Sequence, residues 1–175
     1  MLKSEQIGTA EYRTKVNFWW VNQGKSHGKT YAIERNKNVI SAPQKLHGRR
    51  HYQHWENIRR VRKGDIIFHY ANRVIRAISI VEDNDVKEVI RKEDVYKIKE
   101  GLEVKSKYFD IDEIDYEEFK GILLRKDGPF DYRGVPKQGY LYRFSFEGAK
   151  VIRAIYWDRH RKLFHPEIEK YFKSS

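Results

Sequence analysis

Two apolar runs that meet at a tight reversal constrain this chain most. Ile66-Ile67-Phe68-His69-Tyr70 and Val74–Val81 are both rich in β-branched and aromatic residues, and Ala71-Asn72-Arg73 lies between them. Such runs favour extended backbone, and a reversal this short pairs them as an antiparallel hairpin. Lys63-Gly64-Asp65 turns the chain into the first run.

Other segments fit a sheet around that hairpin. Strands are predicted at Lys15–Asn22, at Asn38–Ala42 with Pro43 as the stop, at Leu102–Ile111 and at Gly139–Ser145. A Gly/Lys/Ser loop runs to Lys29. His51–Arg62 reads as a helix with Tyr52, Trp55, Ile58 and Val61 on one face, which assigns Trp55 to the core. Tyr116–Leu124 reads as helical. Ser145 caps a helix carrying Phe146, Ala149, Ile152 and Tyr156, and Pro166 opens a terminal one over Glu167–Lys173. Asp85–Glu100 fits either a helix or a twisted excursion, and 125–139 is a Gly/Pro/basic loop. The expected class is α+β: a small curved sheet or barrel of about six strands with helices outside it. Residues 1–14 are a polar lead-in, and 15–175 are expected to form a single domain.

Charge narrows the partners. With 36 Lys+Arg against 25 Asp+Glu the formal charge is +11, which favours a polyanion, nucleic acid ahead of a membrane surface. The absence of Cys excludes a disulfide framework and a thiolate metal site, so a reducing cytoplasm is expected. The Lys/Glu-rich composition also fits a heat-adapted protein. No apolar run could span a bilayer, and the N-terminus lacks a signal-peptide apolar region.

Three motifs suggest chemistry and fall short of it. Gly24-Lys-Ser-His-Gly28-Lys29-Thr30 has three residues between its glycines where a phosphate loop has four, and Tyr31–Arg35 leaves room for barely one helical turn. His47, His51 and His54 have spacings that could converge on zinc, but no carboxylate or cysteine completes the set. Glu103-Val104-Lys105 resembles half of a metal-dependent nuclease site, with only Asp83 or Asp94 to supply the second carboxylate. No catalytic triad or paired-carboxylate site stands out. Neither a metal nor a cofactor is expected, and the chain reads as a binding module.

The remaining set is aromatic and amide. Trp20 and Asn22 share one face of the first strand, Trp19 and Gln23 the other. Tyr31 follows the loop, Ser41-Ala42-Pro43 closes the second strand, and Tyr70 with Asn72 ends the hairpin's first strand. An indole plane beside amide groups can hold a flat heterocycle such as an unstacked nucleobase. Trp20 is the favoured wall because it shares a face with Asn22. Arg49, Arg50, Arg73, Arg125 and Lys126 are candidate phosphate contacts.

These residues also carry a resemblance. Trp19-Trp20-Val21-Asn22-Gln23, Thr30-Tyr31 with Glu34, Ser41-Ala42-Pro43, and Lys63–Tyr70 followed by Ile75–Ile78 look like the opening of an EVE domain. The match covers about residues 16–82, and Gly139-Tyr-Leu-Tyr-Arg-Phe fits the pattern's end. EVE domains belong to the PUA-like superfamily and are related to the YTH readers of N6-methyladenine. A basic domain of this kind resembles the N-terminal recognition domain of archaeal McrB-type, modification-dependent restriction enzymes, in which a GTPase motor follows. The resemblance implies double-stranded DNA carrying a modified base, N6-methyladenine first, flipped into an aromatic cage. It also implies a nuclease subunit recruited through the full-length protein. Where the family often has a tryptophan before the Ser/Ala-Pro step this chain has Ile40, so the cage is expected to be completed by Trp20, Tyr31 or Tyr108. The alternatives are a PUA-like RNA-binding module and a small nuclease built on Glu103 and Lys105.

Overall fold

The computed structural model describes residues 15–44 and 52–173. Its strands are β1 (Phe18–Asn22), β2 (Val39–Pro43), β3 (Ile66–Ala71), β4 (Val74–Val81), β5 (Lys87–Ile90), β6 (Glu100–Asp115) and β7 (Leu141–Phe144). They form one curled sheet in the order β2-β6-β4-β3-β1-β7, with β5 attached to β6. The hairpin predicted from the sequence is β3–β4. Asn72 and Arg73 both take positive φ, +52° and +67°, the type I′ geometry whose twist matches that of the flanking strands.

β6 produces the curl. Its first half pairs with β2, Leu102 opposite Ala42, and its second half with β4, Tyr108 opposite Ser79. One long strand thereby carries the ladder round a bend and rolls the sheet into a half-barrel. β1 lies between β3, to which it is parallel, and β7, to which it is antiparallel.

Both faces of β1 are covered, so alternation sends its side chains into two cores. Phe18 and Trp20 join Phe68, Ile78, Phe130 and Phe144 beneath the helix Phe146–His160. Trp19 and Val21 join Ile40, Ile58, Leu102 and Val104 inside the half-barrel. That helix begins as expected: the Ser145 hydroxyl accepts the Gly148 N–H at 2.9 Å.

The helices are α1 (Lys29–Lys37), α2 (Gln53–Glu56), α3 (Tyr116–Phe119), α4 (Phe146–His160) and α5 (Pro166–Glu169). Several expectations need correction. α1 runs nine residues where barely one turn was expected, because Gly28 enters it at φ +85° and Asn38 ends it in the left-handed region. The loop therefore leads into a full helix, and its glycine spacing still departs from that of a phosphate loop. The helix expected over His51–Arg62 is α2 followed by a 3-10 turn, Asn57–Arg60. Asp85–Glu100 holds β5 and no helix, and α3 stops before Gly121, whose φ is +78°. No described helix is long and apolar enough to cross a membrane.

Candidate functional site

A cavity of about 400 Å³ opens where the ends of β1 and β2 meet α2, the 3-10 turn Lys25–Gly28 and the segment 91–98. Asn22 and Ser41 reach it from the two strands, and Trp55 with His54 from α2. Arg91 and Tyr96 come from the segment after β5, and Gly139 and Tyr140 from the approach to β7. Lys25, Arg91 and Lys97 place three cations on the lining.

The floor is organised by a carboxylate. Glu34, on the buried side of α1, is completely enclosed. Oε1 accepts from Gln23 Nε2 at 3.0 Å, from the Ser41 backbone N–H at 3.2 Å and from the Tyr140 hydroxyl, while Oε2 accepts from the Tyr96 hydroxyl at 2.9 Å. Burial pushes the Glu34 carboxyl up to about 7, against the hydrogen bonds from Tyr140, Gln23, Tyr96 and Ser41 that hold it down. Burial also raises the Tyr96 and Tyr140 hydroxyls, so both act as donors. Behind this layer Gln23 Oε1 lies 2.8 Å from His69 Nδ1, and His69 Nε2 lies 2.7 Å from Ser79 Oγ. Burial draws His69 down to about 3, so the ring is neutral.

Most polar groups on the lining are already paired. Both Asn22 amide hydrogens are taken, by the Lys137 carbonyl at 3.0 Å and the Gly139 carbonyl at 2.8 Å. Its Oδ1 accepts the Trp20 indole N–H at 2.9 Å, which leaves one acceptor lone pair. His54 Nδ1 accepts the Tyr140 backbone N–H at 3.0 Å, which puts the neutral ring's proton on Nε2. Arg91 donates to the Ser41 carbonyl at 3.3 Å and to the Ile98 carbonyl at 2.6 Å, with its guanidinium 4.2 Å above the Tyr96 ring. Two atoms of lining residues are exceptions, Ser41 Oγ and Arg91 Nε: both are buried without a partner, and Ser41 as a whole is 2% exposed. A buried polar group left unpaired costs about 1–3 kcal/mol, so these two are the part of the lining with hydrogen-bonding capacity left over.

The mouth carries local strain. Ser26 and His27 both sit in the left-handed region at φ +57° and +56°, immediately before Gly28. Left-handed non-glycine residues cost roughly 1–2 kcal/mol each, and such strain concentrates at ligand clamps.

Of the expected pocket set, Asn22 and Ser41 line this cavity, with Pro43 of the same strand end and Thr30 beside Tyr31. Trp20 is the clearest correction: it is fully buried and packed edge-on against Phe119, Phe130 and Phe144, because α4 and the 119–130 segment cover that face of β1. Trp19 is equally buried on the opposite face, its indole N–H bound to Asp65 at 2.9 Å. Ile40 and Ala42 belong to the half-barrel core, so Ile40 is interior packing. Gln23 stands one layer behind the cavity. Tyr108 lies beyond it, stacked 4.1 Å from His69 and donating to the Val39 carbonyl at 2.7 Å. Tyr31 faces Tyr108 and Arg76, Tyr70 packs on Trp20, and Asn72 forms the hairpin turn against Gly24 and Gly28.

Among the proposed phosphate contacts, Arg73 pairs with Glu117 at 2.9 Å, and Arg125 and Lys126 are exposed on a 3-10 turn. Arg49 and Arg50 lie outside the described residues, as do His47 and His51. No group of three metal-ligating side chains occurs among the described residues.

The sequence reading missed Trp55, His54, Arg91, Tyr96 and Tyr140. Trp55, expected in the core, packs against the half-barrel core and lies half-buried on the cavity lining as well. Tyr140 stood inside a quoted motif and was read only as strand. Arg91 and Tyr96 fall in the charged stretch that has no clear period.

No protein-family model matches the chain, and no curated protein matches it in sequence. Solved structures do match in fold. The YTH domain of Pho92, solved in complex with m6A, is 11% identical, with a TM-score of 0.52 over 85% of this chain and 89% of that one. The YTH domain of the Zygosaccharomyces rouxii MRB1 protein, solved in complex with N6-methyladenosine RNA, is 6% identical, with a TM-score of 0.54 over 81% and 88%. A hypothetical protein from Leishmania major is 13% identical, with a TM-score of 0.57 over 84% and 98%. This chain therefore has a YTH-like fold.

Proposed function

We propose that this chain binds nucleic acid bearing a modified base and receives that base, rotated out of its stack, in the cavity between Ser41 and Trp55. The observation that carries the reading is the unpartnered Ser41 hydroxyl, buried in a cavity whose other polar groups are largely paired. A base edge offers the missing partner. The free lone pair on Asn22 Oδ1 accepts one N–H, and N6-methyladenine keeps one on its exocyclic nitrogen. Trp55 supplies the aromatic face and Val95 and Ile98 the apolar wall for the methyl group, which contributes about 1 kcal/mol. Lys25, Lys97 and the basic surface meet the phosphates.

The ligand we favour is N6-methyladenine in double-stranded DNA, read by a non-enzymatic recognition domain of a restriction system whose motor and nuclease lie elsewhere. The net charge of +11 supports a nucleic-acid partner, and a structure of the same fold holding m6A supports the base. An RNA ligand is the second reading, favoured by the MRB1 domain having been solved with N6-methyladenosine RNA.

A panel of methylated and plain duplex DNA with matching RNA separates the two. Methylated duplex is expected to bind most tightly, and Trp55→Ala to erase the methyl preference while salt-sensitive background binding persists. Equal affinity for methylated and plain forms of both nucleic acids sinks the proposal.

A further inference from the structure

Tyr132 is 79% exposed, the most exposed large apolar side chain among the described residues, with the Arg133 guanidinium 5.6 Å from its ring. It stands on an excursion, 129–137, that is otherwise firmly held. At the base Lys137 N–H donates to the Pro129 carbonyl at 2.8 Å, and Phe130 bridges to Pro136 while its ring packs 5.3 Å from Trp20. At the tip Asp131 fixes the turn: its carboxylate accepts the Arg133 and Val135 N–H groups at 2.8 and 3.1 Å and holds the Arg133 guanidinium at 2.8 Å. Gly134, at φ +77°, closes the turn against Leu123, where a Cβ would lie 3.0 Å from the carbonyl oxygen. The backbone is thus organised to present an aromatic ring outward.

The excursion is also tied to the cavity. The Lys137 carbonyl at its base accepts from Asn22 Nδ2 at 3.0 Å, and Gly139, two residues on, lines the cavity wall. Tyr132 lies at the turned tip of the excursion, where the Gly134 N–H donates back to the Asp131 carbonyl at 2.9 Å. The stretch that carries it is basic in sequence: Lys120, Arg125, Lys126 and Lys137 lie within residues 120–138, together with Arg133, whose guanidinium is paired with Asp131, and Asp127, which is buried.

We infer that Tyr132, with Arg133 behind it, enters the duplex beside the extruded base and stacks on the neighbour that lost its partner. This rests on the cavity reading above and adds a separate device to it. Extrusion costs a few kcal/mol of stacking and pairing, and an aromatic plane on the exposed neighbour offsets part of that. The basic flank supplies the phosphate contacts that hold the ring in the groove.

The test uses the full chain, with the same methylated sequence as a duplex and as a single strand. Only the duplex needs a base extruded, so Tyr132→Ala is expected to weaken duplex binding about tenfold and single-strand binding by less than about twofold. Tyr132→Trp should restore duplex binding, and Arg133→Ala should lower both modestly with a shallower salt dependence. Equal losses on duplex and single strand, or no loss on the duplex, overturn the role of Tyr132 and leave the cavity reading intact so long as the unaltered protein still prefers methylated DNA. Loss of that preference in the unaltered protein overturns both. Tyr132 is exposed, so the variant's folding is not at issue, and thermal melts check this.

Discussion

The Trp20 indole donates to Asn22 Oδ1 at 2.9 Å, so a residue sealed in the core sets the orientation of an amide on the cavity wall. The bond fixes which end of the amide faces which partner: with Oδ1 held by Trp20, both hydrogens must point at the Lys137 and Gly139 carbonyls. Trp20→Phe keeps an aromatic in the cluster and removes the donor. Stability is expected to fall by about 1–3 kcal/mol, read by urea denaturation, and methyl discrimination to weaken with it. Discrimination that survives undiminished would show that the Asn22 orientation does not matter for binding.

Ser41→Ala should separate stability from recognition. The hydroxyl has no partner in the free protein, so its removal is expected to leave stability unchanged or to raise it by up to about 1 kcal/mol. Affinity for a methylated oligonucleotide should nevertheless drop about tenfold. A fall in both by similar amounts would mean that Ser41 is structural.

Two buried groups act against each other as pH changes. Between its ordinary value of 4.5 and about 7, Glu34 holds a proton in the fold that the unfolded chain has released, so rising pH costs stability there. His69 is neutral in the fold down to about 3 while the unfolded chain takes a proton near 6.5, so falling pH costs stability. Across pH 4.5–6.5 the two slopes are opposite and each is about 1.4 kcal/mol per pH unit, and they should nearly cancel. Glu34→Gln leaves His69 unopposed, so urea midpoints of the variant are expected to decline towards acid more steeply than those of the parent. Parallel profiles for the two proteins would contradict the assignment.

Gly139 has no tolerance for a side chain. Its φ is +143°, and a Cβ would collide with the Tyr142 hydroxyl and come within 2.8 Å of His54 Cγ. Gly139→Ala is expected to cost about 1–3 kcal/mol and to displace His54 from the cavity wall, visible as a change in the His54 imidazole resonances. A variant as stable as the parent with His54 unmoved would count against this packing.

The fold was legible where local pattern and tertiary context agree. The β3–β4 hairpin, the Ser145 cap and the terminal proline all rest on chemistry within a few residues of themselves. The site was less legible, because what makes Trp20 core and Trp55 lining is the cover over each, and cover is not local. Alternation correctly separated Trp19 from Trp20, but a strand buried on both faces offers neither to a ligand. Asn22 and Ser41 could be found since both sit where strands end. Arg91 and Tyr96 could not, since their segment has neither period nor punctuation and is shaped by its contacts with Ser41 and Glu34.

The pairing of β1 with β7 has a consequence during synthesis. Val21 and Leu141 are neighbours in the sheet yet lie 120 positions apart in the chain (141 − 21). At roughly 5–20 residues per second the ribosome takes on the order of ten seconds to deliver β7 after β1, and for that interval one edge of β1 has no partner. The same wait applies to Glu34, whose Tyr140 donor arrives just ahead of β7. A nascent chain stalled before Leu141 is therefore not a smaller domain but an open strand edge, with the wall of its cavity still inside the exit tunnel.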